Sequence, residues 1–148
     1  MKAKKHKQFY EITPQSHAPR FEKVILIDSN SKNREINEIL LRVMSVAKQV
    51  KMEESAAAVM KRLHDTELLS EVPELIFLNL DDSDESYSAR NFMSDFSELS
   101  DFIRNKCKLI LLSGSRNDDL KHEMLLQPSV VRFLDTPLDA YQLREFIV

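Results

Sequence analysis

The chain has 148 residues, of which 43% are hydrophobic and 30% charged, and its formal net charge is −3. This size predicts a single domain. The longest apolar runs have four or five residues, far fewer than the roughly 20 that cross a bilayer, and no apolar stretch follows the N-terminal lysines as in a secretory signal. The single cysteine, Cys107, excludes an internal disulfide, so we expect a protein of the reducing cytoplasm.

The N-terminal segment differs from the rest of the chain in charge and pattern. Residues 1–20 carry a formal charge of +4, and the remaining residues carry −7. Residues 1–22 contain two prolines and no hydrophobic period, which predicts a mostly unstructured lead-in before a folded domain at residues 23–148. The lysines from Lys2 to Lys7 leave open a tail that binds nucleic acid or membrane, but a solvated arm is the favoured interpretation.

Short apolar runs predict the strands. Four of them end at Ile27, Leu80, Leu112 and Leu134. Their continuous apolar character predicts burial on both faces, as in a parallel sheet covered by helices. The run from Val46 to Met52 is interrupted by Lys48 and Lys51, which predicts an exposed edge strand.

Helical spacing of apolar residues lies between these runs. The predicted buried stripes are Ile36, Ile39, Leu40 and Val43; Ala56, Val59, Met60 and Leu63; Ala89, Phe92, Met93 and Phe96, extended by Leu99 and Ile103; Leu120 and Met124; and Ala140, Leu143 and Ile147. Predicted N-caps are Ser31, Ser55, Asn117 and Asp139. Five βα units predict a doubly wound α/β fold with right-handed crossovers.

Polar side chains follow the predicted strands. They are Asp28, Ser29, Asn79, Ser113 and Thr136. In an open α/β sheet the functional site lies beyond the carboxyl ends of the strands, so these residues are the candidate site. Gly114, the only glycine of the chain, is predicted to relieve a tight turn after the fourth strand.

A family resemblance rests on the order and spacing of four segments, which are KVILID, PELIFLNL, LILLSGS and FLDTPL. Together they resemble the receiver domain of two-component response regulators, from about Lys23 to Val148. The resemblance implies a flavodoxin-like (βα)5 fold, with a parallel sheet of order 2-1-3-4-5 and helices on both faces. Because the chain ends near the end of the last helix, we expect a stand-alone receiver.

Three positions depart from the family pattern. Asn79 stands where a receiver has its phosphoaccepting aspartate, and a carboxamide is not a nucleophile. Ser29 replaces the second acid of the metal-binding pair, and Thr136 replaces the lysine that pairs with the phosphoryl group. The resemblance therefore implies a degenerate phosphorylation pocket, or pseudo-receiver. With Asp28 alone retained, we expect no cofactor and weak or absent Mg²⁺ binding.

Two positions match the family. Ser113 corresponds to the Ser/Thr that hydrogen-bonds the phosphoryl group, and Phe133 corresponds to the rotating switch aromatic. Asn79 itself is expected to brace the loop that follows it.

An acidic loop follows Asn79 and leaves two interpretations open. Its residues are Asp81, Asp82, Asp84 and Glu85. One interpretation is a substitute phosphoacceptor at Asp82 or Asp81, with a weakly bound metal ion ligated by Asp28, Asp81 or Asp82. A solvated loop whose acids complement a helix dipole is favoured, because nothing in the spacing directs the side chains inward.

The leading hypothesis of function is a non-enzymatic, phosphorylation-independent interaction module in signal transduction. The implied binding surface includes parts of Leu120–Gln127 and Leu138–Val148, and the expected partner is a signalling protein or a second copy of the chain. A membrane partner is not expected, and nucleic acid is disfavoured by the acidic body. The phosphoryl-accepting receiver and the tail-driven binder remain the alternatives.

Overall fold

A computed structural model of the chain describes residues 18–81, 86–114 and 118–147. The strands are β1 (Phe21–Ile27), β2 (Ala47–Glu53), β3 (Leu75–Asn79), β4 (Lys108–Ser113) and β5 (Val130–Asp135). The helices are α1 (Ser31–Val43), α2 (Ala56–Asp65), α3 (Ala89–Ser97), α4 (Asp101–Lys106), α5 (Asp118–Leu125) and α6 (Ala140–Ile147), with a short 3₁₀ helix at Leu69–Glu71.

The five strands form one parallel sheet of order β2-β1-β3-β4-β5. This confirms the predicted flavodoxin-like fold and its strand order. The central strand β3 is buried along its whole length, as its uninterrupted apolar run requires. Strand β2 lies at the edge with Lys48 and Lys51 exposed, which confirms the prediction for that segment.

Helices cover both faces of the sheet, and each face has its own core. Helices α1 and α6 pack on one face through buried residues such as Leu41 and Leu143. Helices α2 to α5 pack on the other face, where Phe92 and Phe96 are almost completely buried. The two cores fix the strand register, so the carboxyl ends of the strands meet at one edge of the sheet.

The predicted buried stripe of α1 is wrong. Ile36 is 60% exposed and Ile39 is 59% exposed, whereas Asn37 and Leu41 are buried. The helix is rotated so that residues 37, 41 and 44 face the sheet, with only Leu40 of the predicted set close to that core. A polar residue, Asn37, therefore takes a position that the hydrophobic pattern assigned to solvent.

Several predicted boundaries need correction. Asn30 rather than Ser31 caps α1, since its side chain accepts a hydrogen bond from the amide of Asn33. Ser55 caps α2 as predicted, and Asp139 accepts from the amide of Gln142 at the start of α6.

Further differences concern where elements begin and end. The stripe predicted to continue to Leu99 and Ile103 is interrupted: Leu99 lies in the connection between α3 and α4, and Ile103 lies in α4, although both residues are buried. Strand β1 begins at Phe21 rather than Lys23. The basic segment at residues 1–17 and the predicted cap Asn117 lie outside the described residues.

None of the helices in the described ranges has the length and apolar character that a membrane span requires.

Candidate functional site at the carboxyl edge of the sheet

The carboxyl edge of the sheet contains a polar cavity of about 430 Å³. It is lined by Asp28, Ser29, Asn30, Asn33, Ile36, Asn37, Asn79, Asp81, Thr136, Pro137 and Leu138. The structure thus brings four of the five strand-end residues predicted from the sequence to one cavity. The fifth, Ser113, reaches the same place through a hydrogen bond to Asp81.

Asp28 is the buried acid of this cavity, with only 3% of its surface exposed. Its Oδ1 accepts from the backbone amide of Asn30 at 2.9 Å. Its Oδ2 accepts from the side-chain amides of Asn33 at 3.2 Å and of Asn79 at 2.8 Å. The carboxylate is therefore stabilised by neutral amide donors, which is how a buried charge without a paired cation is made tolerable.

Asn79, at the end of β3, uses both ends of its carboxamide. Its Nδ2 donates to Asp28, and its Oδ1 accepts from the backbone amide of Asp81 at 2.9 Å. Only this orientation of the amide places a donor against the carboxylate and an acceptor against the N–H. The side chain braces the loop after β3, the structural role expected from the sequence.

The carboxylate of Asp81 points at the end of β4. Its Oδ1 accepts from the hydroxyl of Ser113 at 2.8 Å, and its Oδ2 accepts from the backbone amide of Gly114 at 2.6 Å. The solvated-loop interpretation is therefore wrong for this carboxylate, although Asp81 as a residue remains exposed. Asp82, Asp84 and Glu85 lie outside the described residues.

Gly114 is required by a close approach of neighbouring atoms. Its φ is not positive, so the requirement does not come from a left-handed backbone conformation. A Cβ at this position would lie 2.8 Å from Oγ1 of Thr136 and 3.5 Å from Oδ2 of Asp81. Any larger residue would require the Thr136 hydroxyl to move. The peptide bond from Thr136 to Pro137 is cis.

The cavity is negatively charged. Asp28 and Asp81 line it, and neither lysine nor arginine belongs to its lining among the described residues. Arg34 contacts the end of β1: its guanidinium donates to the backbone carbonyl of Asp28 at 2.8 Å. This contact orients the end of β1 and leaves the carboxylate to the amides.

The residues present do not fit the Mg²⁺ that receivers use. Within residues 18–81, 86–114 and 118–147, no group of three His, Cys, Asp or Glu side chains is placed to hold a metal ion. Both oxygens of Asp28 already accept from amide groups. Asn79 presents an N–H rather than an oxygen towards Asp28, and an N–H repels a cation.

Phe133 and Cys107 lie away from the cavity. Phe133 is half-buried on β5, and the ammonium of Lys121 lies 5.1 Å from its ring centroid. Cys107 is completely buried, and burial raises the pKa of its thiol to about 12. A thiol with this pKa is unreactive at neutral pH, so Cys107 is a packing residue.

Two contributors to the site, Asn30 and Asn33, were not singled out in the sequence, and the contacts of a third, Asp81, were not expected there. Asn30 and Asn33 hold Asp28 from the first turn of α1, and Asp81 satisfies the donors at the end of β4. The spacing of Asn30 and Asn33 is a helix-cap signal that could have been read. The direction of the Asp81 side chain depends on the loop and leaves no such signal.

No protein-family model matches this sequence, and no curated protein matches it. Solved structures do match in fold. A two-component response regulator from Cytophaga hutchinsonii is 18% identical, with a TM-score of 0.74 over 86% of this chain and 97% of that chain. The receiver domain of the Arabidopsis thaliana histidine kinase CKI1, complexed with Mg²⁺, is 17% identical, with a TM-score of 0.67 over 90% and 97% of the two chains.

A third match comes from the co-crystal structure of the Saccharomyces cerevisiae histidine phosphotransfer signaling protein Ypd1 and the receiver domain of its downstream response regulator Ssk1. It is 17% identical, with a TM-score of 0.65 over 88% of this chain and 89% of that chain. Together with the sheet order, these likenesses establish that the chain has the fold of response-regulator receiver domains.

Proposed function

We propose that this chain is a receiver-type signalling module that binds a protein partner without being phosphorylated and without catalysing a reaction. The observation that carries the proposal is the carboxamide of Asn79 at the end of the central strand. Its two ends are engaged by Asp28 and by the amide of Asp81. The position where a receiver needs a nucleophilic carboxylate is therefore a neutral structural brace.

The charge of the cavity supports the same proposal. A phosphoryl group adds a charge of about −1.5 to −2 at neutral pH. In this cavity it would lie close to Asp28 and Asp81, with no lysine or arginine among the described lining residues to compensate it. Thr136 supplies a hydroxyl where a receiver has its lysine, and a hydroxyl cannot neutralise that charge.

The alternative phosphoacceptors have less support. Both carboxylate oxygens of Asp81 accept hydrogen bonds, and an acid held in this way is a poor nucleophile. Asp82 and the basic tail lie outside the described residues, so the two alternative functions rest on the sequence alone.

The proposed binding surface is formed by α5, β5 and α6, and we call it the β5 surface. It has exposed apolar side chains at Leu125, Leu126, Val131 and Tyr141. Ion pairs join its helices to the strand between them, Lys121 to Asp135 at 3.7 Å and Arg132 to Glu145 at 3.3 Å. Exposed apolar groups within a charged rim are typical of protein interfaces.

The partner that this surface fits is another signalling protein or a second copy of the chain. The structural neighbour containing Ypd1 and the Ssk1 receiver is a complex between two signalling proteins. For the present chain, the surface is preformed, which a module that receives no phosphoryl group requires.

The test is exposure to acetyl phosphate and Mg²⁺ followed by intact-mass measurement. We expect no added phosphoryl group on the wild-type chain. The matched control is Asn79→Asp, which restores the carboxylate. Addition to the variant alone would assign the loss to Asn79, and a base-labile phosphoryl group on the wild type would overturn the proposal.

A further inference from the structure

We propose that the Asp81 carboxylate of this chain permanently occupies the two oxyanion donors at the end of β4, the hydroxyl of Ser113 and the backbone amide of Gly114. The hydrogen bonds of Ser113 and Gly114 to an anion are then made without any free anion. The meaning of this inference for signalling rests on the proposed function. It deepens that function because it explains how the resting shape is maintained.

The two donors are well placed to bind one oxyanion. They come from adjacent residues and meet the two oxygens of a single carboxylate, at 2.8 Å from the Ser113 hydroxyl and 2.6 Å from the Gly114 amide. Hydrogen bonds to a charged acceptor at these distances are stronger than those between neutral groups.

The scaffold holds these donors in place. Ser113 is only 2% exposed, and its backbone carbonyl accepts from the amide of Thr136 at 3.2 Å. Ser113 is also paired in register with Asp135 of β5. The absence of a side chain at Gly114 lets the Thr136 hydroxyl and the Asp81 carboxylate lie close to the backbone, since a Cβ would lie within 3.5 Å of both.

The occupant is tethered to the site from the other side. Asn79 accepts a hydrogen bond from the backbone amide of Asp81, and its own amide group donates to the buried Asp28. A group tethered in this way competes with free ligands at a high effective concentration. A chain of hydrogen bonds therefore joins the ends of β1, β3 and β4 through the carboxylates of Asp28 and Asp81 and the carboxamide between them.

Free oxyanions are disfavoured as long as Asp81 is present. They would have to displace a tethered carboxylate and then lie beside it and Asp28 in a cavity without lysine or arginine in its described lining. Removal of the Asp81 side chain removes both the competitor and one of the two charges. The vacated donors should then accept a tetrahedral oxyanion such as inorganic phosphate.

The chain offers a direct probe of this site because Gly114 is its only glycine. Labelling with ¹⁵N-glycine gives one backbone amide signal, and that amide is one of the two donors. The experiment titrates the full chain with inorganic phosphate, with sodium chloride at matched ionic strength as the salt control. It compares the wild type with Asp81→Ala and with the double variant Asp81→Ala/Ser113→Ala.

We expect the wild-type signal to stay in place. In Asp81→Ala the signal should move upfield before any addition, because the carboxylate acceptor is lost. It should then shift saturably with phosphate, and the affinity should be at least about tenfold above that of the wild type. This ratio corresponds to ~1.4 kcal/mol of binding free energy. The double variant should lose the saturable shift.

Three results would overturn the inference: identical Gly114 signals in wild type and Asp81→Ala, equal phosphate responses in both, or no phosphate response in Asp81→Ala. Asp81→Asn is the second variant if alanine prevents folding, because it removes the charge and keeps the shape. Phosphorylation of the wild type by acetyl phosphate would contradict the proposed function, and it would leave the result of the Gly114 measurement unaffected. The two failures are therefore distinguishable.

Discussion

The side-chain nitrogen of Asn79 lies 2.8 Å from Oδ2 of Asp28, so a neutral donor stands against the most buried acid of the cavity. A receiver that is to be phosphorylated needs a carboxylate at that point, and two carboxylates at this separation require a cation between them. The chain instead uses a hydrogen bond. The negative charge of Asp28 is satisfied permanently, and no ion is needed to hold the ends of β1 and β3 together.

Asn79→Asp should therefore destabilise the protein. It replaces the donor by a second carboxylate beside Asp28, at a cost of about 1–3 kcal/mol in the free energy of unfolding at pH 7. Urea denaturation with EDTA present measures it. Asn79→Ala is the control without added charge, and a variant as stable as the wild type at pH 7 would contradict the explanation.

Asp81 and Ser113 should be energetically coupled. A double-mutant cycle with Asp81→Ala and Ser113→Ala should return an interaction of about 1–2 kcal/mol, because either single change removes the hydrogen bond between the two side chains. Ser55, which caps the distant α2, provides the matched control: Asp81→Ala and Ser55→Ala should be additive. Additive effects of Asp81 and Ser113 would show that their contact contributes nothing to stability.

The sheet was predictable from the sequence because both faces of its central strands are buried. The apolar run from Leu75 to Leu78 is typical of a strand buried on both faces, and the polar residue that follows it marks the strand end. Helix α1 was not predictable in the same way. It carries apolar residues on two faces, and Ile36 and Ile39 gave a clean helical period while Asn37 and Leu41 faced the core. The rotation of a helix about its axis is decided by tertiary packing.

The sequence predicted which strand-end residues form the candidate site, but it did not predict the hydrogen bonds between them. Strand ends identify Asp28, Asn79 and Ser113, since the topology brings them to one edge. The hydrogen bonds of Asp81 depend on the path of the loop after β3, which local residue preferences do not determine. The requirement for Gly114 likewise arises from Thr136, a residue of a different loop.

Cys107 should contribute a pH-dependent term to stability. Burial raises the pKa of its thiol from 9.0 to about 12, against a smaller opposing effect of Lys108 and Lys106. The unfolded chain releases this proton first as the pH rises. The stabilisation is therefore fully present below pH 9 and is lost between pH 9 and 12, by about 1.4 kcal/mol per pH unit.

Denaturation of wild type and Cys107→Ala across this pH range isolates the term, since the variant lacks it and all other groups are shared. The folded wild type should also react slowly with a disulfide reagent at pH 8 and rapidly in denaturant. Equal slopes for the two proteins, or fast labelling of the folded state, would show that the thiol is accessible.

Tyr141 should be an anchor of the β5 surface. It is 68% exposed, and the guanidinium of Arg144 lies 5.7 Å from its ring centroid. Tyr141→Glu should weaken self-association or partner binding by about tenfold or more, since aromatic anchors dominate interface energies, and should leave the melting curve unchanged. Leu68→Glu is the matched control, an exposed apolar residue outside this surface. Sedimentation velocity and affinity capture measure the effect, and unaltered binding by Tyr141→Glu with a normal melting curve would place the binding face elsewhere.

The central claim is that the pocket receives no phosphoryl group. Beryllofluoride tests this claim most directly, because the complex of beryllofluoride with a carboxylate does not depend on the lifetime of an acyl phosphate. The measurement is an amide NMR spectrum of the ¹⁵N-labelled chain, recorded before and after addition of beryllofluoride and Mg²⁺. We predict unchanged signals for Asn79, Asp81, Ser113 and Gly114. Saturable shifts of these signals, or of the acidic residues that follow Asp81, would contradict the claim and identify a working acceptor.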